Sequence, residues 1–540
     1  MLTDFAHAKA PRTDQPDVCI IGAGAAGITL ARGLSGQGLR ILLLESGGLD
    51  YGPESAALGV GENIGAAYYP LEDSRLRFFG GTTNIWGGRC APLDDIDFQA
   101  RDWVAHSGWP IDGSELAEGY RAAHRDLGVD APDSGAKGEG QWGAAALSMD
   151  ANRFMSRCWR FDTQRERFHA KRTQDVLKAP DIETLINATA VGIQAHPNRS
   201  GLDHVLVRHA GGQVAKIKAN AYVLACGGIE NARLLLASND VEPLGIGNGH
   251  DQVGRFFMEH PHGRLGRIRT RNPYRLWNAF RMRFPQGGVP VAPVLLPTPA
   301  LQRERGILNT ALTFKWQRNP AAGVPRTRQV YQALKHQLAP GRGNRRLWHA
   351  YRGLRFAYAR SLRPLITRGL MRLQDFQLSV MIRAEQAPNP ASRVVLSTAK
   401  DELGCPKANL DWRLGEQDKH TLRELARALN DELVRLDLGA LEPSPWLDEP
   451  SLDWPVDGTV GNHPIGGYHH AGTTRMSADP ADGVVDRNCA VHGYPDLYIL
   501  GSSVFPTVGW ANPTLTILAL AHRLKAHLLA RHTADRHRVK

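Results

Sequence analysis

The chain has 540 residues, 42% of them apolar and 22% charged, with a formal net charge of +11. That length predicts sizeable cores and two lobes, and no run of about 18 apolar residues occurs, so no transmembrane helix is expected. The basicity is local: 305–374 holds fifteen Lys or Arg and no Asp or Glu, and +11 less these fifteen would leave −4. One surface is marked rather than the whole molecule.

Residues 1–16 mix charge and polarity without an apolar core, so no signal peptide is expected. Six cysteines (Cys19, Cys90, Cys158, Cys226, Cys405, Cys489) are scattered and none forms CxxC, which leaves no usual zinc or iron–sulfur spacing. A reducing cytoplasm is the expected location, with membrane association and export alongside a partner left open.

Residues 17–21 read as a buried strand that runs into Gly22-Ala23-Gly24-Ala25-Ala26-Gly27. Residues 28–34 have helical spacing, 36–38 end the helix, and 40–44 form a second strand closing on Glu45. This is a dinucleotide fingerprint: Gly22 for the tight turn, Gly24 for backbone approach to a pyrophosphate, Gly27 for helix–strand packing. The helix N-terminus offers N–H groups to phosphates, and Glu45 can accept from ribose hydroxyls. The alternatives are a glycine-rich turn that binds nothing and, for Glu45, a solvated strand-end acid. The fingerprint does not separate FAD from NAD. The glycines of 244–249 follow no strand and read as loop, so one dinucleotide site in a long chain favours a tightly held flavin.

Further on, 79–88 is a glycine-rich turn, 101–187 is Trp-rich and helical in pattern, and 222–233 is a second strand-end glycine turn. Cys226 in that turn reads as a packing residue. Met258-Glu259-His260-Pro261-His262 clusters polar groups, but one short run supplies too few spaced ligands for a metal, so it reads as a loop lining a pocket. The basic stretch 326–372 predicts two helices broken at 339–341, with Leu347, Tyr351, Leu354, Tyr358, Leu362 and Ile366 at helical spacing. Pro364 would kink or end the second helix. This insert could pack on its own protein with a solvated basic face, lie on an anionic membrane, or receive an acidic partner. No nucleic-acid motif accompanies the charge.

Near the C-terminus, 466–476 (Gly-Gly-Tyr-His-His-Ala-Gly-Thr-Thr-Arg-Met) and 509–516 (Gly-Trp-Ala-Asn-Pro-Thr-Leu-Thr) embed a histidine and an asparagine in turn-forming residues. Asp486 reads as a turn cap, 497–500 as a buried strand, and 515–521 as a buried helix.

The fingerprint, 79–88, 222–233 and nearly all of 460–530 resemble the glucose–methanol–choline (GMC) oxidoreductases, which bind FAD; 265–375 matches nothing recognisable. Within the family, 511–516 is most similar to pyranose oxidases and related bacterial sugar dehydrogenases. An α/β, two-lobed fold is expected. Its Rossmann-like FAD domain is discontinuous over 15–100, 188–262 and 455–535. A substrate domain on a mixed or antiparallel sheet with helices takes 101–187 and 263–454.

The resemblance implies that His469 is the catalytic base, with His470 as the neighbouring alternative, and that Asn512 is its partner. It implies cofactor contacts from Gly22, Gly24, Ala25, Ala26, Gly27, Glu45, Ser46, Gly80, Gly81, Thr82, Thr83, Asn84, Trp86, Gly87, Gly88, Ala190, Val191, Ala225, Cys226, Gly227, Gly501, Ser502, Asn512, Pro513 and Thr514. Some relatives bond the flavin to a histidine where this chain has Ile85, so a non-covalent FAD is expected.

The base should titrate near neutrality, and the asparagine amide should hold the alcohol oxygen. The implied function is oxidation of a secondary alcohol on a sugar or glycoside, with His469 taking the proton and flavin N5 the hydride. Electrons would pass to a separate protein, quinone or oxygen, and no metal is expected. Alternatives are a bulky lipophilic or membrane-borne alcohol, a cyanohydrin-cleaving lyase, and a binding subunit of an electron-transfer assembly.

Overall fold

The computed structural model describes residues 1–8, 15–130, 142–318, 326, 329–330, 341–371, 376–458 and 467–539. Val18–Ile21, Ile41–Leu44 and Ala221–Leu224 are short apolar and aromatic runs buried along their whole length. Unbroken runs of that kind suit parallel strands covered on both faces. They form the centre of a seven-stranded sheet in the order Leu2–Asp4, Ile182–Ile186, Ile41–Leu44, Val18–Ile21, Ala221–Leu224, Tyr494–Ile499, Ala490–Val491. All pairings are parallel except the last.

The register decides where the site lies. Ile21 is level with Leu44 and with Leu224, and Leu224 with Ile499. The strands therefore end together, and the turns at Gly22, Glu45, Ala225 and Leu500 leave from one edge, where open α/β sheets bind their ligands. The Ala25–Leu34 helix packs on this sheet and on the C-terminal Thr514–Val539 helix.

A second seven-stranded sheet is antiparallel throughout: Ala440–Pro443, His262–Arg269, Phe376–Arg383, Ala311–Arg318, Val291–Pro297, Phe154–Phe161, Arg89–Cys90. Behind it, the Glu416–Arg435 helix buries Leu422, Leu425, Leu429 and Leu433, one helical face, in a core separate from that of the first sheet. The fold is thus α/β and two-lobed.

Three details depart from the sequence reading. The first sheet takes Leu2–Asp4 and Ile182–Ile186 from outside 15–100, 188–262 and 455–535. Residues 101–187 hold the Ala117–Leu127 helix but also two strands. Their alternating and mixed-polarity residues hide the strand signal until a partner strand covers one face. In the insert, helices run over Arg342–Ser361 and Arg363–Leu370. Pro364 stands in the first turn of the second, where its missing N–H leaves no intrahelical bond unmade. The break at 339–341 lies partly outside the described residues, as do most of 326–341, Arg372 and Gly466.

Candidate active site

The aligned turns open onto a cavity of about 960 Å³ between the two sheets. Gly22 sits at φ +110°, and a Cβ there would lie 2.5 Å from the Ala225 carbonyl oxygen. A Cβ on Gly27 would lie 2.0 Å from the Gly22 carbonyl oxygen, so this glycine is required by helix–strand packing. Gly24 differs: a Cβ there meets nothing within 4 Å, because the cavity lies in front of it. Gly227 and Gly501 are open in the same way and also line the cavity.

Of the residues expected to contact a cofactor, all line this cavity except Gly27, Asn84 and Val191. Asn84 is fully buried and donates from Nδ2 to the Phe79 and Gly81 carbonyls. It holds the 80–88 turn, in which Gly80 and Gly81 adopt φ +90° and +55°. Val191 lies beside a register irregularity between Ala190 and Gly192. Glu45 accepts from the Ala23 and Gly47 N–H groups at 3.1 and 2.9 Å, and burial raises its carboxyl pKa. Burial pushes the Cys226 thiol up to about 12, as suits a packing residue.

His469 and Asn512 meet on the cavity wall: Asn512 Nδ2 lies 3.0 Å from His469 Nε2. The other ring nitrogen, Nδ1, lies 2.9 Å from Nδ1 of His260. His260 in turn places Nε2 2.9 Å from the Gly509 carbonyl oxygen. A carbonyl only accepts, so His260 carries its proton on Nε2. Burial lowers the His260 pKa to about 3, so this ring is neutral and its Nδ1 is a lone pair. His469 must then donate from Nδ1, which leaves Nε2 bare and facing the cavity. The Asn512 amide donates to that lone pair, and its Oδ1 is buried without a protein partner.

His470 points elsewhere. Its ring packs near Tyr68 and Phe257, with Nε2 3.9 Å from a Glu259 carboxylate oxygen. Geometry therefore pairs His469, not His470, with Asn512. The expectation of a base near neutrality is corrected: burial, then the His260 ring and the Arg383 guanidinium, hold the His469 pKa well below its ordinary value.

Residues 388–521 match the family model described as GMC oxidoreductase. This stretch is a GMC oxidoreductase C-terminal domain. Over 96% of its length the chain is 26% identical to the 6'''-hydroxyparomomycin C oxidase of Streptomyces lividus, covering 92% of that protein. It is 33% identical over 27% of its length to the C-glycoside 3-oxidase of Microbacterium trichothecenolyticum, covering 26% of that protein. Its fold is that of a fungal aryl-alcohol oxidase, with a TM-score of 0.54 at 15% identity, covering 96% of this chain and all of the other.

The cofactor is FAD, and the cavity fits it. Three glycines present bare backbone to open space, a helix N-terminus at Asn512-Pro513-Thr514 reaches the wall, and the Asn512 Oδ1 is orphaned.

Sequence reasoning missed the supports beneath the site. Glu259 accepts from the His469 backbone N–H at 2.8 Å, from the His260 N–H at 3.1 Å and from the Tyr68 hydroxyl. Burial raises its carboxyl pKa to about 7. Arg383 lies under the same group, its pKa lowered by burial to about 10. Arg75, Arg77 and Glu230 form a charged cluster on the cavity wall, in which Arg77, Arg233 and Arg75 hold the Glu230 carboxyl ionised. The 258–262 run was a visible signal for the histidine support. Nothing in the sequence pattern pointed to Tyr68 or Arg383.

Proposed function

We propose that this enzyme oxidises a secondary hydroxyl of a sugar or glycoside, with His469 taking the hydroxyl proton and Asn512 steadying the oxygen. The carrying observation is the tautomer chain from the Gly509 carbonyl through His260 to His469. It fixes the bare lone pair of His469 at Nε2, on the cavity side and beside an amide donor.

FAD, when bound, supplies the hydride acceptor at N5. The chain supplies the rest. Nε2 accepts the hydroxyl proton; Nδ1–H keeps its bond to His260 as the ring becomes cationic; the Asn512 N–H turns to the oxygen as negative charge develops there. The Glu259 carboxyl accepts from the His469 backbone N–H and so holds that residue in place.

A sugar substrate is supported by two features. The cavity lining includes Trp277, Phe280, Trp316 and Phe356, aromatic side chains of the kind on which the C–H face of a pyranose ring can lie. Two relatives are named for oxidation of hydroxyparomomycin C and of C-glycosides. Electrons then pass to a separate acceptor: protein, quinone or oxygen.

FAD is held without a covalent link at the 80–88 turn, since Ile85 has no nucleophile. Acid precipitation should leave the yellow cofactor in the supernatant, and colour retained in the pellet would contradict this.

The deciding experiment mixes FAD-loaded enzyme anaerobically with sugars, glycosides and lipophilic alcohols. Bleaching of the flavin absorbance by a glycoside, with a keto product, supports the proposal. Bleaching only by lipophilic alcohols overturns the substrate class, and an aldehyde product overturns the secondary position.

A further inference from the structure

The Arg342–Ser361 helix is inside-out. The residues it buries are Arg345, Trp348, His349 and Arg352. Arg345 bonds to Asp50 at 2.5 Å and to Glu166 at 2.9 Å. His349 Nε2 donates to the Asn84 carbonyl at 3.1 Å, and Arg352 donates to the Trp86 and Asp162 carbonyls. These bonds pin the polar face against the enzyme, so the helix cannot roll to bury the other one.

The other face is apolar and exposed. Leu347, Leu354 and Leu362, with Leu365 and Ile366 of the next helix, are 56%, 71%, 54%, 72% and 41% exposed. Spacings of three, four, seven and eight place them along one stripe, with exposed Tyr351 and Tyr358 between them. This short stretch holds seven of the sixteen large apolar side chains exposed among the described residues, and clustering of that kind marks an interaction site. Exposed Arg342, Arg346, Arg355 and Arg360 accompany the stripe, and no acid occurs from 305 to 374.

We propose that this face docks on an anionic lipid bilayer. The inference goes beyond the oxidation reading and does not depend on the substrate. A second copy would set these arginines against their own equivalents with no acid between them. An acidic protein would answer the arginines but not the aliphatic stripe. A bilayer answers both, with acyl chains for the leucines and phosphates for the arginines, and tyrosine suits the boundary between them. No helix among the described residues is long and apolar enough to cross a membrane, so the geometry is that of a helix lying on the surface.

The test is flotation of FAD-loaded enzyme with vesicles of mixed phosphatidylcholine and phosphatidylglycerol. The enzyme should rise with these vesicles at low salt, and raised salt or phosphatidylcholine alone should weaken binding. The double variant Leu354→Glu/Leu365→Glu should bind at least ~10-fold more weakly, with flavin absorbance and anaerobic reduction unchanged. Arg346→Ala/Arg360→Ala should lose binding to the anionic vesicles by a similar factor and leave the flavin intact. Enzyme that stays at the bottom with anionic vesicles overturns the proposal, as does either variant floating like the wild type. A wild-type dimer that Leu354→Glu/Leu365→Glu dissociates, with no vesicle binding, assigns the face to a second copy instead.

Discussion

The Nδ1 atoms of His260 and His469 face each other at 2.9 Å across 209 residues of sequence. Because His260 gives its only proton to the Gly509 carbonyl, this contact determines which nitrogen of His469 is free. A positioning role of this kind has its own signature. His260→Ala should retain FAD but slow anaerobic flavin reduction by about 10–100-fold, and His260→Gln, whose side-chain oxygen can accept from Nδ1, should recover part of the loss. Stopped-flow reduction across pH 5–9 checks this; an alanine variant with the wild-type rate and pH profile would remove His260 from the mechanism.

His469→Ala should leave the fold and bound FAD intact while reduction slows by roughly 10²–10⁴-fold, the span of a lost general base. Asn512→Ala removes a single donor to the developing oxyanion and should cost about 10²–10³-fold. Because the two side chains share one hydrogen bond, the double variant should lose less than the product of the single effects. A strictly multiplicative result would mean that they act independently.

Burial sets the pH behaviour. With His469 held well below its ordinary value, reduction should show no acid limb centred near 6.5, and a limb there would contradict the neutral resting ring. The stability side can be isolated at His470, whose pKa burial lowers to about 3. Below pH 6.5 the unfolded chain takes up a proton that the folded chain refuses. This contribution therefore weakens as pH falls from 6.5 toward 3. Glu259 and Asp418, raised by burial to about 7, work in the opposite sense, losing stability as pH rises through 7. Comparing His470→Phe with the wild type cancels them: the variant should gain about 1.4 kcal/mol of relative stability per pH unit of acidification in that window. Paired denaturant titrations at several pH values measure it.

Two glycines of one motif should fail differently. Gly24→Val places its side chain in open cavity, so the protein should fold and lose FAD. Gly27→Val drives a side chain into the Gly22 carbonyl and should abolish soluble expression. Expression level and the flavin-to-protein ratio separate the two; equal loss of folding in both would place Gly24 in packing instead.

The first sheet was legible because its central strands are buried on both faces and so read as unbroken apolar runs, two of them ending at Gly22 and Glu45. The histidine and asparagine were legible through the resemblance, and geometry then separated His469 from His470. The second sheet was less so: His262–Arg269 and Ala311–Arg318 alternate apolar residues with Arg, Lys and Gln, and their partners come from 89 to 443. The pairing of His260 with His469 was hidden for a related reason. His260 and Glu259 stand two hundred residues from His469, and the face a ring turns to its neighbour leaves no mark in spacing. The basic stretch showed its helices and its proline, but not that the arginines at 345 and 352 point inward.

The strand order also sets a timetable for synthesis. Ala221–Leu224 lies at the middle of the first sheet, and its neighbour Tyr494–Ile499 is made about 270 residues later, roughly 15–50 s at ordinary translation rates. During that interval the nascent chain carries the glycine turn with one flank of its central strand unpaired, an edge that invites wrong pairing. His469 and Asn512 emerge in the same late segment. Cofactor loading and assembly of the proposed catalytic pair therefore wait for the late segment, and a ribosome-stalled chain ending before Tyr494 should neither retain flavin nor stay soluble without a chaperone.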